Sequence, residues 1–275
     1  MSTDLVETTG RGAFVRALTR LYLEDPCGLL PNALWKTVQQ AATCQTWARW
    51  EEEGVCELQM WQSRRLFLFW QRVPRPENLL PLLDELDLVL LHADYLASPA
   101  VHASVEHLFD ARQDFFRLLH RHNSLPDAPL PAPFTLEVVA PRREATEIAA
   151  FIGRCYENLH PSPETVDAWT AHPTFAPELW IWLVHRLSGR RAALGIAELD
   201  VTIGEGSLEW IQVLPEFRGR GLGSAMVAAL LRRLADQAEF TTVSGQVDNR
   251  TRPELLYRRC GFVGDDVWCV LRRAV

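Results

Sequence analysis

Arginine and glycine crowd one short stretch of this sequence, Arg218-Gly219-Arg220-Gly221-Leu222-Gly223-Ser224, between the apolar run "SLEWIQVL" and the amphipathic stretch "SAMVAALLRRLADQA". Strand-like residues before it and helix-like residues after it place it at a helix N-terminus. Amide N–H groups there lack intrahelical acceptors, and the helix dipole is positive. Glycines let the backbone come close to an anion, so the stretch can hold a phosphate or pyrophosphate. Two common phosphate loops do not fit. G-x-x-x-x-G-K-[ST] needs a lysine before the hydroxyl residue, and the single lysine of the chain is Lys36. G-x-G-x-x-G starting at Gly219 needs a glycine where Ser224 stands. The pattern that remains is Arg218-x-x-Gly221-x-Gly223.

Side chains with acid–base capacity lie on both sides of this stretch. Glu205 and Glu209 flank the entry of the strand before it, and Glu198 lies on the strand before that. A carboxylate can take a proton from a reacting group, although a solvated strand-end glutamate is the competing reading for each. His160 and His172 bracket a short helix and His185 alternates with Trp182 on a strand; all three read first as structural or exposed, and Trp169, Trp180 and Trp182 as core. Cys27, Cys44, Cys56, Cys155, Cys260 and Cys269 contain no C-x-x-C pair, which argues for packed thiols over a zinc site or a disulfide framework. No metal is expected.

Periodicity gives the elements that carry these groups. "FTLEVVA" alternates as a strand, and "REATEIAAFIGRCYENL" puts Ile148, Phe151, Ile152 and Cys155 on one helix face. "SPETVDAWTAH" reads as a second short helix. Two β-rich runs around Ser188-Gly189-Arg190 make a hairpin, and "SLEWIQVL" is the next strand. The helix after the glycines carries Leu222, Met226, Leu230 and Leu234 at four-residue spacing. "FTTVSGQV" is a strand, "TRPELLYRRC" a short helix with Thr251 and Glu254 at capping-box spacing, and "GFVGDDVWCVLRR" a last strand. The predicted order is β-α-α-β-β-β-α-β-α-β.

Four prolines within "PDAPLPAP" disfavour helix and mark a connector at 122–133, which separates an N-terminal lobe, 1–121, from a domain at 134–275. In the N-terminal lobe "GAFVRALTRLYLED" and "HASVEHLFDARQDFFRLLHRH" look helical and "GVCELQMWQSRRLFLFWQRV" looks like a hairpin around Ser63-Arg64. The net charge of −7 opposes a general nucleic-acid binder, since neutralising phosphates needs clustered positive charge. Carboxylates interrupt the most apolar reach, "LLPLLDELDLVLLHADYL", so no membrane-spanning helix is expected. "MSTDLVETTGRG" lacks a basic start and an apolar run, which points to the cytoplasm.

With its elements in place, Arg218-x-x-Gly221-x-Gly223 resembles the pyrophosphate loop, [Q/R]-x-x-G-x-[G/A], of the GNAT superfamily of acetyl-CoA-dependent N-acetyltransferases. "VDNRTRPELLYRRCGF", residues 247–262, looks like the last helix of that family, with Asn249 ahead of it and Tyr257 in it, eight residues apart where seven is commoner. The likeness covers about 134–275, and "EDPCGLLPNALWK" resembles the start of two-part members. It implies an α+β fold: a mixed, mostly antiparallel GNAT-type sheet flanked by helices, with an N-terminal α+β lobe that reads as a degenerate second GNAT-like unit.

The resemblance also implies acetyl-CoA as cosubstrate. Backbone groups of Ile211, Gln212 and Val213 would meet pantetheine, with the Val213 N–H placed like an oxyanion donor. Arg218, Gly219, Arg220, Gly221, Leu222, Gly223 and Ser224 would hold the pyrophosphate. Asn249 would contact the cofactor arm, with an Asp-Asn turn as the alternative. Tyr257, a phenol of reference pKa ~10, would protonate the leaving CoA thiolate, against the alternative of a core tyrosine. Glu205 falls where several members carry their base, and Glu209 lies deeper in the strand. Cys260 has no evident base beside it, so direct transfer in a ternary complex is expected over an acyl-enzyme. The implied activity is acetyl transfer to a primary amine of a small molecule; a protein or peptide acceptor, or an inactive acetyl-CoA-binding protein, is the alternative. The acceptor itself is unknown from sequence, and a homodimer is left open.

Overall fold

Proline placement and apolar spacing set most of the elements in the structure, a computed structural model whose described residues are 10–156 and 158–274. The reading of the N-terminal leader falls largely on residues 1–9, outside them. Helices α1 (Gly10–Glu24), α2 (Pro26–Leu29) and α3 (Leu34–Gln40) are followed by strands β1 (Gln45–Glu51), β2 (Gly54–Gln62) and β3 (Arg65–Gln71). Next come α4 (Pro76–Leu83), β4 (Leu88–His92), α5 (Pro99–Leu108) and β5 (Ala111–His120). The C-terminal half runs β6 (Phe134–Val138), α6 (Pro141–Cys155), α7 (Pro163–Trp169), β7 (Trp180–His185), β8 (Arg191–Asp200) and β9 (Glu205–Val213). It ends with α8 (Leu222–Leu234), β10 (Phe240–Gln246), α9 (Pro253–Arg259) and β11 (Val263–Arg272). From residue 134 onward this is the predicted order.

Two compact units result, and the chain passes between them more than once. One holds residues 1–117, 244–250 and 264–275; the other holds 118–243 and 251–263. In the first, β1, β2 and β3 form an antiparallel meander whose second turn, at Ser63-Arg64, has Ser63 at φ +52°. β3 then pairs parallel to β4 through Arg65–Leu88 and Leu66–Val89. The last strand of the sequence, β11, joins this unit beside β4, from Trp268–His92 to Arg272–Leu88. Packing explains the placement: Cys269 and Leu271 are fully buried in the core that Phe69, Leu79, Leu83, Val89 and Leu91 build, and the Trp268 indole N–H donates to the Cys27 carbonyl at 2.8 Å.

Two local expectations fail. "HASVEHLFDARQDFFRLLHRH" is not one helix, because α5 stops at Leu108 and β5 takes over at Ala111. The Asp110 N–H donates to the Arg272 carbonyl, which draws the chain into extended pairing, and the run of apolar residues fits either period. The Thr251–Glu254 capping box does not form at the helix end either. Pro253 occupies the first helical position, so the cap falls on Arg252 in left-handed backbone, and Glu254 accepts from Arg258 Nε at 2.8 Å.

In the second unit the strand order is β10-β9-β8-β7-β6, antiparallel except for the β9–β10 pair. Helix α8 is the crossover between those two parallel strands, and its stripe Leu222, Met226, Leu230 and Leu234 is buried on the sheet. Gly195 and Gly206 make the close fit: a Cβ on the first would collide with Met226 Sδ, and on the second it would meet Leu234 Cδ1 at 2.8 Å. Antiparallel partners point to the same side, so Gly195 and Ile211 face α8, while Ile196, Glu198, Ser207, Trp210 and Gln212 face the opposite side. Helices α6 and α7 cover that side; the Trp182 indole donates to Glu144 of α6, and Trp169 of α7 stacks on Trp210. The connector belongs to this unit, where Arg232 of α8 donates to the Pro126 carbonyl. Among the described residues no helix is long and apolar enough to cross a membrane, and no group of three or more His, Cys, Asp or Glu could hold a metal ion.

Candidate active site

The parallel ladder between β9 and β10 runs from Glu205–Phe240 to Leu208–Val243 and ends there. On the β8 side, Ala197 pairs with Leu208 but Ile196 pairs with Trp210, so Glu209 is the extra residue of a β-bulge. Bulges end pairing and re-aim side chains, and here both happen at one carboxylate. Beyond the bulge, Leu214 N–H donates to the Ala192 carbonyl on β8. By alternation the N–H groups of Ile211 and Val213 turn to the edge of β9 away from β8, as amide-bearing ligands require. Gln212 points to the α6–α7 side. Its residue is 4% exposed and neither amide atom has a hydrogen-bond partner among the described residues.

Three glycines of the loop act for two reasons. Gly219 and Gly221 sit at φ +74° and +76°, left-handed backbone that a side chain would strain, and a Cβ on either would meet nothing within 4 Å. Gly223 is helical, and its Cβ would come within 3.1 Å of Leu256 on α9, so it sets a close α8–α9 approach. Arg218 Nε donates to the Val213 carbonyl at 3.1 Å and Arg220 to the Glu216 carbonyl at 3.3 Å, which ties the loop back to the strand. The α8 N-terminus has no side-chain cap and no acid in its first turn. Leu222, Gly223 and Ser224 therefore present first-turn amides to an open, electropositive space.

Tyr257 is 6% exposed on α9, its ring against Phe262, and burial raises its phenol above the ordinary tyrosine value, with the nearby Tyr156 phenol adding to the shift. It stays protonated across the neutral range, as a proton donor must. Burial also raises Cys260, which a hydrogen bond from Ser224 only partly offsets, so this thiol is a poor nucleophile.

The two glutamates differ. Glu205 is 1% exposed and accepts from Thr242 Oγ1 at 2.7 Å. Glu209 is half-buried at the bulge and accepts from Ser207 Oγ at 3.1 Å. Glu198 is 4% exposed and bonded to His172 Nδ1 at 2.9 Å, a pair that nothing in their spacing joins. His185 bonds Ser188 in the hairpin turn, and His160 packs over Gly153. Asn249 lies in residues 244–250 of the first unit, where its N–H donates to the Gln246 carbonyl at 3.4 Å. Trp180 and Trp182 are core, as expected, whereas Trp169 joins the half-exposed Trp210, which the sequence does not single out because a tryptophan inside a strand carries no motif.

Residues 179–264 match the family model described as an acetyltransferase (GNAT) domain. No curated protein matches the chain. Among solved structures, a GCN5-related N-acetyltransferase from Sphaerobacter thermophilus is similar at TM-score 0.69 and 17% identity, over 99% of this chain and 96% of that one. A GNAT-family acetyltransferase from Colwellia psychrerythraea gives 0.63 and 11% over 99% and 100%. A tandem GNAT protein from the clavulanic acid biosynthesis pathway gives 0.58 and 12% over 98% and 97%. At these identities the likeness is one of fold, and it extends over both halves as a two-lobe GNAT-like arrangement. Residues 179–264 thus match a GNAT acetyltransferase domain, and the fold around them is the one these structures share.

Proposed function

We propose that the protein transfers the acetyl group of acetyl-CoA to the primary amine of a small molecule by direct attack in a ternary complex. The β9–α8 junction carries the reading: two left-handed glycines open on empty space before a helix end with neither cap nor acid, and the strand edge ahead of it presents amides at Ile211 and Val213. Those features suit a pyrophosphate followed by an amide-bearing arm. Bound acetyl-CoA supplies the activated thioester.

The amine nitrogen bonds to the carbonyl carbon, the C–S bond breaks, and two protons must move. Tyr257 gives its phenolic proton to the departing sulfur, a role its buried, neutral state supports. Glu209 takes the proton from the amine, since it sits at the bulge where the ladder ends and is half-open. Glu205, locked to Thr242 and 1% exposed, is a positioning residue behind it. The spans 1–121, 122–133 and 134–275 divide the roles, with chemistry in the last.

The experiment is a panel of primary amines mixed with acetyl-CoA, read as thiol release, beside a CoA titration. Acetyl-dependent thiol release with at least one small amine is the expected result. CoA binding without turnover on any amine would favour an inactive acetyl-CoA binder, and absent CoA binding would end the assignment.

A further inference from the structure

Side chains on the α6–α7 side of β8 and β9 form a surface that acetyl transfer to an unspecified amine does not explain. Trp169 and Trp210 stack at 5.2 Å between ring centroids and 25° between planes, and the Tyr156 ring stands edge-on to Trp210 at 6.3 Å. Trp169 and Trp210 are half-buried, and Tyr156, where α6 ends, is 36% exposed. The wall continues inward, since Trp169 also meets Trp180. Its position is specific. Trp210 follows Glu209 at the bulge, so the aromatic wall begins next to the group assigned to take the amine proton.

The carboxylates that β8 and β9 turn to the inner part of this side are engaged within the fold. Glu198 holds His172, Glu205 holds Thr242, and Glu209 accepts from Ser207. A polyamine or a long cationic peptide needs several carboxylates spread along its length; one half-open carboxylate beside indole and phenol faces suits one ammonium on an apolar body. The buried amide of Gln212, with no hydrogen-bond partner among the described residues, faces the same side. The His172–Glu198 pair has a place in this arrangement. His172 N–H donates to the Trp169 carbonyl, so the bond from its imidazole to β8 pins the turn after α7 and holds Trp169 on Trp210.

We infer that the Trp169–Trp210–Tyr156 wall is the acceptor site, that the acceptor is a monoamine with an apolar body, and that His172 and Glu198 are positioning residues for it. The inference rests on the acetyltransferase reading above.

The test measures kcat and KM by thiol release for hexylamine, benzylamine and 2-phenylethylamine against spermidine and a serine-led hexapeptide, with acetyl-CoA affinity measured in parallel. The monoamines should exceed spermidine and the peptide at least tenfold in kcat/KM, on the order of what a few buried methylenes discriminate. Trp210→Ala and Tyr156→Ala should raise KM for hexylamine roughly tenfold with kcat and acetyl-CoA affinity little changed. His172→Gln and Glu198→Gln should shift KM the same way, whereas a purely structural pair would lower the unfolding midpoint and leave KM alone. Tyr156→Ala, at an exposed helix end, keeps the test open if Trp210→Ala fails to fold. Equal turnover of spermidine or the peptide, their turnover with none of any monoamine, or an unchanged KM in Tyr156→Ala overturns the inference. Failure to bind acetyl-CoA, or binding it without turnover of any amine, overturns the parent reading instead.

Discussion

Two strand-to-helix crossovers in this chain are built on one plan and differ in chemistry. In the first unit β3 pairs parallel to β4, the ladder stops at Leu66–Val89, and β2 skips Phe67, which is the extra residue of a bulge. In the second unit β9 pairs parallel to β10, the ladder stops at Leu208–Val243, and Glu209 is the extra residue. The same succession of parallel pair, bulge and crossover helix thus occurs twice, without a sequence repeat. The segment between strand and helix separates them. "RVPRPEN" enters the eight-residue α4 with Pro74 and Pro76, no glycine and Glu77 in the first turn, and Arg72 is spent on the Val55 carbonyl. "FRGRGLGS" enters the thirteen-residue α8 with two left-handed glycines and no acid. A carboxylate on a helix N-terminus competes with an anion that a glycine turn admits. Phe67 at the first bulge has no proton to exchange, whereas Glu209 at the second has.

Substitutions at the two crossovers and on the neighbouring α9 separate their roles, and loss of the acid proposed at Tyr257 should carry the largest effect. Tyr257→Phe keeps the ring against Phe262 and removes only the hydroxyl, so kcat should fall roughly 10²-fold or more while CoA affinity holds. Wild-type turnover under conditions where chemistry limits would show Tyr257 to be a packing residue. Glu209→Gln should slow turnover by a similar factor near neutral pH, with the gap closing as pH rises toward the acceptor's own pKa, and Glu205→Gln should act less; the reverse order would move the base to Glu205. Gly221→Val forces a β-branched residue into φ +76° at the loop and should weaken CoA binding roughly tenfold or more, since left-handed backbone costs about 1–2 kcal/mol for an L-residue before any clash with ligand. Arg75→Ala and Glu77→Gln, at the first crossover, should change CoA affinity less than about twofold, as surface substitutions away from a site do.

A smaller effect concerns acid stability. His120 and His122 are held below the ordinary histidine value, chiefly by burial; His122 bonds the Ala238 carbonyl at 2.9 Å and Thr241 Oγ1 at 2.8 Å. Their folded pKa values lie under the unfolded value of about 6.5, so the unfolded chain binds protons first as pH drops. Stability should be flat above about pH 6.5 and decline below it, through the window down to the folded values. His122→Asn should flatten that decline, which thermal melts across pH would show.

How much of this is legible in the sequence varies by element for physical reasons. The second unit's elements and its glycine loop can be read because each has a local signature: four-residue apolar spacing on α8, the Gly189 turn, and glycines where backbone must be left-handed. The β5 strand cannot, since "FFRLL" suits either period and its partner lies far along the chain. Nor can the placement of β11 beside β4, which rests on Cys269 and Leu271 filling a core made by residues 66–109. The bulge at Glu209 is a matter of register, invisible in composition. The His172–Glu198 bond spans 26 positions and two elements, and neither residue stands in a motif.

The placement of β11 bears on dissection of the chain. A fragment of residues 134–275 keeps the glycine loop but leaves Cys269 and Leu271 without the core that buries them, so it should unfold at lower temperature than the full chain. Equal melting temperatures would show that β11 contributes nothing to the fold of the fragment.

Whether one crossover took the anion-binding role and the other lost it is decided by titrating the full chain with CoA in a calorimeter. One CoA per chain in the wild type, one at unchanged affinity in Arg75→Ala, and loss of that binding in Gly221→Val are the expected results. Two CoA per chain, or one that survives Gly221→Val and disappears in Arg75→Ala, would contradict this division of roles.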